Sequence, residues 1–117
     1  MKIDFHASKV NYTEALDGEI VQVDFEEEEN DDPLNPTKAY LHISASYEFG
    51  SRVPVAQWFD GSDEEGGVEV ECFKVTQNEA EIHLANTRIF RISYEAVPPV
   101  INKIRSFLSR DCREINA

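Results

Sequence analysis

Residues 39–49 read AYLHISASYEF, and this segment carries the clearest structural signal of the chain. Apolar or aromatic side chains occupy every second position from Leu41 to Phe49, with residues such as His42 and Ser44 between them. Successive side chains of a β-strand point to opposite faces, so the alternation predicts a strand with one buried face. The same period of two recurs on both sides of this segment and therefore decides the fold class.

The other predicted strands show the same alternation. They cover residues 2–8, 21–25, 68–72, 80–84 and 90–94. Turns are predicted at Asp17-Gly18, residues 76–79 and Asn86-Thr87 from their composition. Residues 53–59 read VPVAQWF. Because Pro54 has no N–H group, this segment is expected to be an edge strand or an irregular stretch.

The period changes near the end of the chain. Pro98-Pro99 suits the first turn of a helix, and apolar residues then recur at spacings of three and four. This pattern predicts a helix over about residues 98–110. The chain as a whole, residues 1–117, is predicted to be a single α+β domain. It would consist of a mostly antiparallel sheet of six to seven strands packed by one C-terminal helix.

Acidic residues dominate the first three quarters of the chain. The 117 residues carry 23 acids and 11 bases, a formal net charge of -12. Residues 1–87 hold 20 acids and 5 bases, a net of -15, and residues 88–117 hold 3 acids and 6 bases, a net of +3. Nucleic acids and anionic membranes are poor partners for such a chain, because binding to phosphate needs lysine and arginine. A cationic protein is the natural complement.

Two predicted loops concentrate the acids. Residues 26–32 read EEEENDD and run into a proline-bounded loop at residues 27–38. A second acidic loop, residues 60–67, reads DGSDEEGG. Each run is either a solvated surface or the binding site of a cationic partner.

An enzyme is not expected, because no catalytic signature is present. The chain lacks a GxSxG motif and a glycine-rich phosphate loop, and Cys72 and Cys112 stand in no recognisable context. His6, His42 and His83 lie in three different strands without the spacing of a metal site, and the 60–65 acids lack the pattern of a calcium loop. No cofactor is therefore predicted.

The aromatic pair Trp58-Phe59 directly precedes the second acidic loop. A single tryptophan is typical of a core, but an aromatic residue beside acids is also typical of an anchor that faces a basic partner. The predicted partner-binding residues are Glu26, Glu27, Glu28, Glu29, Asp31, Asp32, Trp58, Asp60, Asp63, Glu64 and Glu65.

A cytoplasmic location is expected. The N-terminus has no apolar signal region, no stretch approaches the roughly 20 apolar residues of a membrane span, and the two cysteines are interpreted as reduced thiols. The sequence leaves the oligomeric state open.

From about residue 40 to residue 108, the order of elements resembles that of immunity proteins from bacterial contact-dependent inhibition and polymorphic-toxin systems. The matching features are a strand at residues 40–43, an acidic segment that ends in Gly66-Gly67-Val68, a hairpin at residues 73–84, a strand at residues 88–94 and the closing helix.

The resemblance implies tight one-to-one inhibition of a cognate toxin domain, often a basic nuclease. Two alternatives belong to other classes. One is a secretion-type chaperone that binds an unfolded stretch of an effector protein, and the other is a small metal-dependent enzyme or module.

Overall fold

A computed structural model describes residues 2–15, 19–27, 39–46, 54–59 and 64–115, apart from the side chains of Glu64 and Glu65. The strands in this part of the chain are β1 (Lys2–Ala7), β2 (Lys9–Ala15), β3 (Ile20–Glu26), β4 (Tyr40–Ser46), β5 (Val55–Phe59), β6 (Glu64–Val75), β7 (Glu79–Leu84), β8 (Ile89–Tyr94) and β9 (Arg113–Glu114). The helix α1 spans Pro98–Asp111. The predicted turn at Asp17-Gly18 lies outside the described residues.

The predicted α+β fold with a mostly antiparallel sheet and one C-terminal helix is confirmed. The predicted count of six to seven strands is too low, because β2 and β9 were missed. β2 is mostly exposed and so has no strong apolar alternation, and β9 consists of two residues that pair with β6. β2 is held by pairing with the next strand, β3, and β9 by pairing with the distant β6, so a local apolar pattern marks neither of them.

The position of Pro54 also differs from the expectation. β5 lies inside the sheet, between β4 and β6, and not at an edge. Pro54 immediately precedes the strand, and its carbonyl oxygen accepts a hydrogen bond from the Val70 N–H at 2.9 Å. The ladder of β5 therefore begins after the residue that lacks an N–H group.

The sheet curls back on itself. Its strands follow the order β1-β8-β7-β6-β5-β4-β3-β2, with β9 beside β6. The first and last strands of this path, β1 and β2, are consecutive in the chain and only Ser8 separates them. The Ser8 N–H donates to the Glu26 carbonyl oxygen at 2.9 Å. A path whose two ends are joined by one residue must bend round, and it encloses the core on its concave face.

Aromatic contacts across the core show this closure. The rings of Phe25 in β3 and Tyr94 in β8 stack with centroids 5.8 Å apart, although four strands lie between β3 and β8 in the sheet order. Trp58 in β5 meets Phe90 in β8 edge to face at 5.7 Å. These contacts fill the interior with large side chains, and burial of such side chains is the main favourable contribution to folding.

α1 covers part of this core. Its buried residues are Ile101, Ile104, Phe107 and Leu108. The Phe107 ring packs edge to face on Tyr12 of β2, with centroids 6.3 Å apart. Pro98 and Pro99 occupy the first turn of α1, as predicted. α1 ends at its C-cap residue Cys112, whose N–H donates to the Leu108 carbonyl oxygen.

A bulge in β6 explains the glycine pair. Ala56 faces Val68 and Gln57 faces Gly66, so Gly67 is an extra residue on the β6 side. Gly67 has a φ of +78°, a backbone conformation that other residues adopt only with strain. Gly66 lies against Gln57, whose Cγ would be 2.6 Å from a Cβ atom placed there. The predicted loop at residues 60–67 is therefore shorter than expected, because residues 64–67 belong to β6.

The close approach at Gly66 predicts a coupled effect on stability. Gly66→Ala should lower the free energy of unfolding by about 1–3 kcal/mol, because the new methyl group overlaps Gln57. Gln57→Ala alone should change it by no more than about 0.5 kcal/mol, because Gln57 is exposed. The double variant should recover part of the loss by removing the overlapping Cγ. Urea denaturation of the four proteins measures the coupling, and purely additive losses would contradict this account.

Candidate functional site

One row of the sheet register brings the ends of both acidic loops together. Glu26 at the end of β3 pairs with Tyr40 at the start of β4, and Tyr40 pairs with Phe59 at the end of β5. Phe59 in turn faces Glu64, where β6 begins. The loop after β3 and the loop after β5 thus leave and rejoin the sheet at one end, which we call the acidic edge (residues 26–40 and 59–64).

The base of the longer loop is clamped by hydrogen bonds. The Glu27 N–H donates to the Ala39 carbonyl oxygen at 3.0 Å, and the Ala39 N–H donates to Glu27 Oε1 at 2.9 Å. The chain therefore leaves the sheet after Glu27 and returns to it at Ala39, and two hydrogen bonds join these residues to each other. This pairing holds Glu26 and Glu27 beside the start of β4.

The described structure covers only some of the predicted partner-binding residues. Glu26 and Glu27 lie at the acidic edge, and both carboxylates make hydrogen bonds within the chain. Six predicted residues lie outside the described part, as do the side chains of Glu64 and Glu65. The six are Glu28, Glu29, Asp31, Asp32, Asp60 and Asp63.

Trp58 does not occupy the position expected of an anchor. Its side chain is 0% exposed and lies in the core against Phe90, with the Arg88 guanidinium 5.1 Å from its ring centre. A residue without accessible surface cannot contact a partner in this conformation. Because neighbouring residues of a strand face opposite ways, the aromatic residue that points outward is the next one, Phe59, which is partly exposed.

A cluster that the sequence-based prediction did not assign lies on the outer face beside the acidic edge. Tyr40 and His42 of β4 stack with ring centroids 4.5 Å apart, and Tyr40 meets Phe59 edge to face at 6.2 Å. His42 Nε2 lies 2.9 Å from Glu26 Oε1 and 3.7 Å from Asp24 Oδ1. The signal was available, because the alternation of residues 39–49 places Tyr40 and His42 on the face opposite the apolar one.

The three histidines contact different partners. His6 Nδ1 is 2.9 Å from Ser93 Oγ, His83 Nε2 is 3.0 Å from Glu81 Oε2, and His42 belongs to the cluster above. Within the described ranges, no group of three or more histidine, cysteine or acidic side chains is arranged to hold a metal ion.

A groove of about 360 Å³ lies on the outer face of β6–β8, away from the acidic edge. Glu79, Glu81 and Arg91 of this groove are engaged with one another. Arg91 lies 3.1 Å from Glu81 and 3.5 Å from Glu79, and His83 also contacts Glu81. A ligand entering here would have to compete with these ion pairs, so the groove is a weaker candidate than the acidic edge.

The contacts of Glu81 predict a contribution to acid stability. Hydrogen bonds from His83 and then Arg91 lower the pKa of Glu81 below its ordinary value. The stabilisation is therefore present above the ordinary glutamate pKa of about 4.3 and is lost as the pH falls through the lowered value. Glu81→Gln should be less stable than the wild type at pH 7, and the difference should shrink towards pH 3.

Urea denaturation at both pH values measures this difference in the free energy of unfolding. Glu95→Gln changes the net charge equally at an exposed position and serves as the control. A difference between wild type and Glu81→Gln that grows as the pH falls would refute the prediction.

The cysteines are free thiols, and Cys112 is poorly suited to nucleophilic chemistry. Burial, with smaller contributions from Asp111 and Cys72, raises the pKa of Cys112 to about 11. The reactive form of cysteine is the thiolate, which is scarce at neutral pH when the pKa is high.

Cys112 should therefore react with iodoacetamide at pH 8 roughly 200-fold more slowly in the folded protein than in urea, since the ordinary thiol pKa is about 8.5. Mass spectrometry of the peptide that contains Cys112, after timed labelling, gives both rates. Equal rates in the two states would contradict the raised pKa.

The chain matches no protein-family model, no curated protein and no solved structure. In the part of the chain that the structure describes, no helix has the length and apolar character needed to cross a membrane. The case for a function therefore depends on the residues and their arrangement.

Proposed function

We propose that the protein binds a cationic protein through the acidic edge and neutralises it by forming a one-to-one complex. The observation that carries this proposal is the register that joins Glu26, Tyr40, Phe59 and Glu64 in one row. Two acidic segments that are separate in the sequence therefore leave the sheet side by side. In this proposal the protein acts by binding in the cytoplasm and has no catalytic activity of its own.

The distribution of charge supports a basic partner. Ten of the 23 acids lie in or beside the two loops, at residues 26–32 and 60–65. Charges of one sign concentrated in one region steer an oppositely charged protein and raise its association rate, an effect that salt weakens. Opposed charges also discriminate against other acidic proteins, which contributes specificity.

The kind of partner follows from the resemblance to immunity proteins of contact-dependent inhibition and polymorphic-toxin systems. By that resemblance, the partner is a toxin domain, and a basic nuclease would suit the acidic edge. The complex would cover the toxin's active site or another essential surface.

A first test is to capture partners on the immobilised protein from a lysate of its native host and to read the neighbouring open reading frames. Coexpression of a toxin found in this way should be tolerated only when this protein is present.

The acidic edge should determine the association rate. Replacing six of its acids by their amides should slow association with the captured partner by about tenfold at low salt and weaken the salt dependence, because steering depends on local charge. The six are Glu27, Glu28, Glu29, Asp31, Asp60 and Asp63.

A matched control neutralises six exposed acids elsewhere and changes the net charge by the same amount. These are Glu14, Glu19, Glu69, Glu71, Glu95 and Asp111. Stopped-flow association rates at about 50 mM and 300 mM salt distinguish the two variants. These concentrations lie below and above physiological ionic strength, so charge screening is weaker at the first and stronger at the second. If the edge variant associates and protects as well as the control, the proposed site is wrong.

A further inference from the structure

The outer face of the sheet beside the acidic edge combines aromatic rings with carboxylates. We call this surface the ring–carboxylate patch. It consists of Asp24, Glu26, Tyr40, His42 and Phe59. These residues alternate with the buried ones of β3, β4 and β5, so all five point away from the core. The patch runs from the carboxylates of β3 across the rings of β4 to Phe59 of β5.

The carboxylates of the patch are held close to the rings. The side chains of Asp24 and Glu26 are only 16% and 21% exposed, and His42, stacked on Tyr40, lies within 3.7 Å of both. Partly desolvated charges interact more strongly with an incoming cation than fully solvated ones do. In the described contacts, Asp24 uses only its Oδ1 atom, which accepts from Gln22 Nε2 and faces His42.

We propose that the ring–carboxylate patch receives an arginine side chain of the partner in preference to a lysine. This inference rests on the proposed binding of a cationic protein and adds which cation is recognised. In the row that contains Glu26 and Tyr40, Lys9 lies opposite Glu26 on the β2 side and Phe59 lies opposite Tyr40 on the β5 side. The site for the guanidinium group consists of the rings of Tyr40 and Phe59 together with Asp24, which pairs with His42 in the next row that faces outward.

The preference follows from the shape of the two cations. A guanidinium group is planar and weakly hydrated, so it stacks on aromatic rings while its N–H groups donate to a carboxylate at the same time. The ammonium group of lysine is compact and strongly hydrated, and it interacts with a carboxylate as a point charge. A surface of solvated acids alone would discriminate much less between the two, because it offers charge without a ring face.

Two peptides test the preference without knowledge of the natural partner. Binding of a six-arginine peptide and a six-lysine peptide is measured by fluorescence anisotropy at the same low salt concentration. The wild type should bind the arginine peptide about fivefold more tightly, as expected for one cation–π contact at a partly exposed site. In amide NMR spectra, the signals of Tyr40, His42 and Phe59 should shift more on addition of the arginine peptide.

Variants assign the preference to the patch. Tyr40→Leu should reduce the ratio of the two dissociation constants towards one, whereas Tyr40→Phe, which keeps the ring, should preserve it. Phe59→Leu is the second ring variant if Tyr40→Leu does not fold by circular dichroism. Asp24→Asn should weaken the arginine peptide more than Glu71→Gln, which removes the same charge at an exposed position outside the patch.

The outcomes separate this inference from the proposed function. Equal binding of the two peptides, or a ratio that Tyr40→Leu and Phe59→Leu leave unchanged, would overturn the arginine site and leave the acidic edge as a binder of cations. Failure of both peptides to bind would also overturn the arginine site. The association rates of the edge variant and its control with the captured partner then decide the proposed function independently.

Discussion

The curled sheet depends on one strand, β6, that pairs with different neighbours along its length. Its first part pairs with β5 as far as Glu69, and its second part pairs with β7 from Val70 onward. The bulge at Gly67 and the close approach of Gln57 to Gly66 change the twist of β6 before this exchange. Because both halves of the sheet share β6, they fold over one core, and the path can close through the bend at Ser8.

This closure also determines where charge can collect. A side chain on the concave face must be apolar, so the acids are confined to the outer faces and to the loops at the ends of strands. On the outer face of β7 and β8, Glu79 and Glu81 are paired with Arg91. At the acidic edge the register places Glu26 beside one base, Lys9, and Tyr40 beside Phe59, while ten acids lie in or next to the two loops. The negative surplus is therefore concentrated at one end of the sheet.

Sequence patterns predicted the elements that a local period defines. The strand around Leu41, the hairpin turn at residues 76–79 and the helix that begins at Pro98 are all present. Patterns failed where pairing partners decide the structure. β2 lacks a strong alternation because it is largely exposed, and Trp58 and Phe59 could not be assigned to the core and the surface until the register of β5 was known.

The sequence by itself determined that the chain is a mostly antiparallel α+β protein with a strong negative charge, because side-chain period and charge are local properties. It also singled out the acidic residues as candidates for binding. Only the tertiary structure decided that two acidic segments more than 20 residues apart meet at one row of the sheet, and that Tyr40, His42 and Phe59 lie beside them. That arrangement depends on strand order and register, which arise from contacts between residues far apart in the chain.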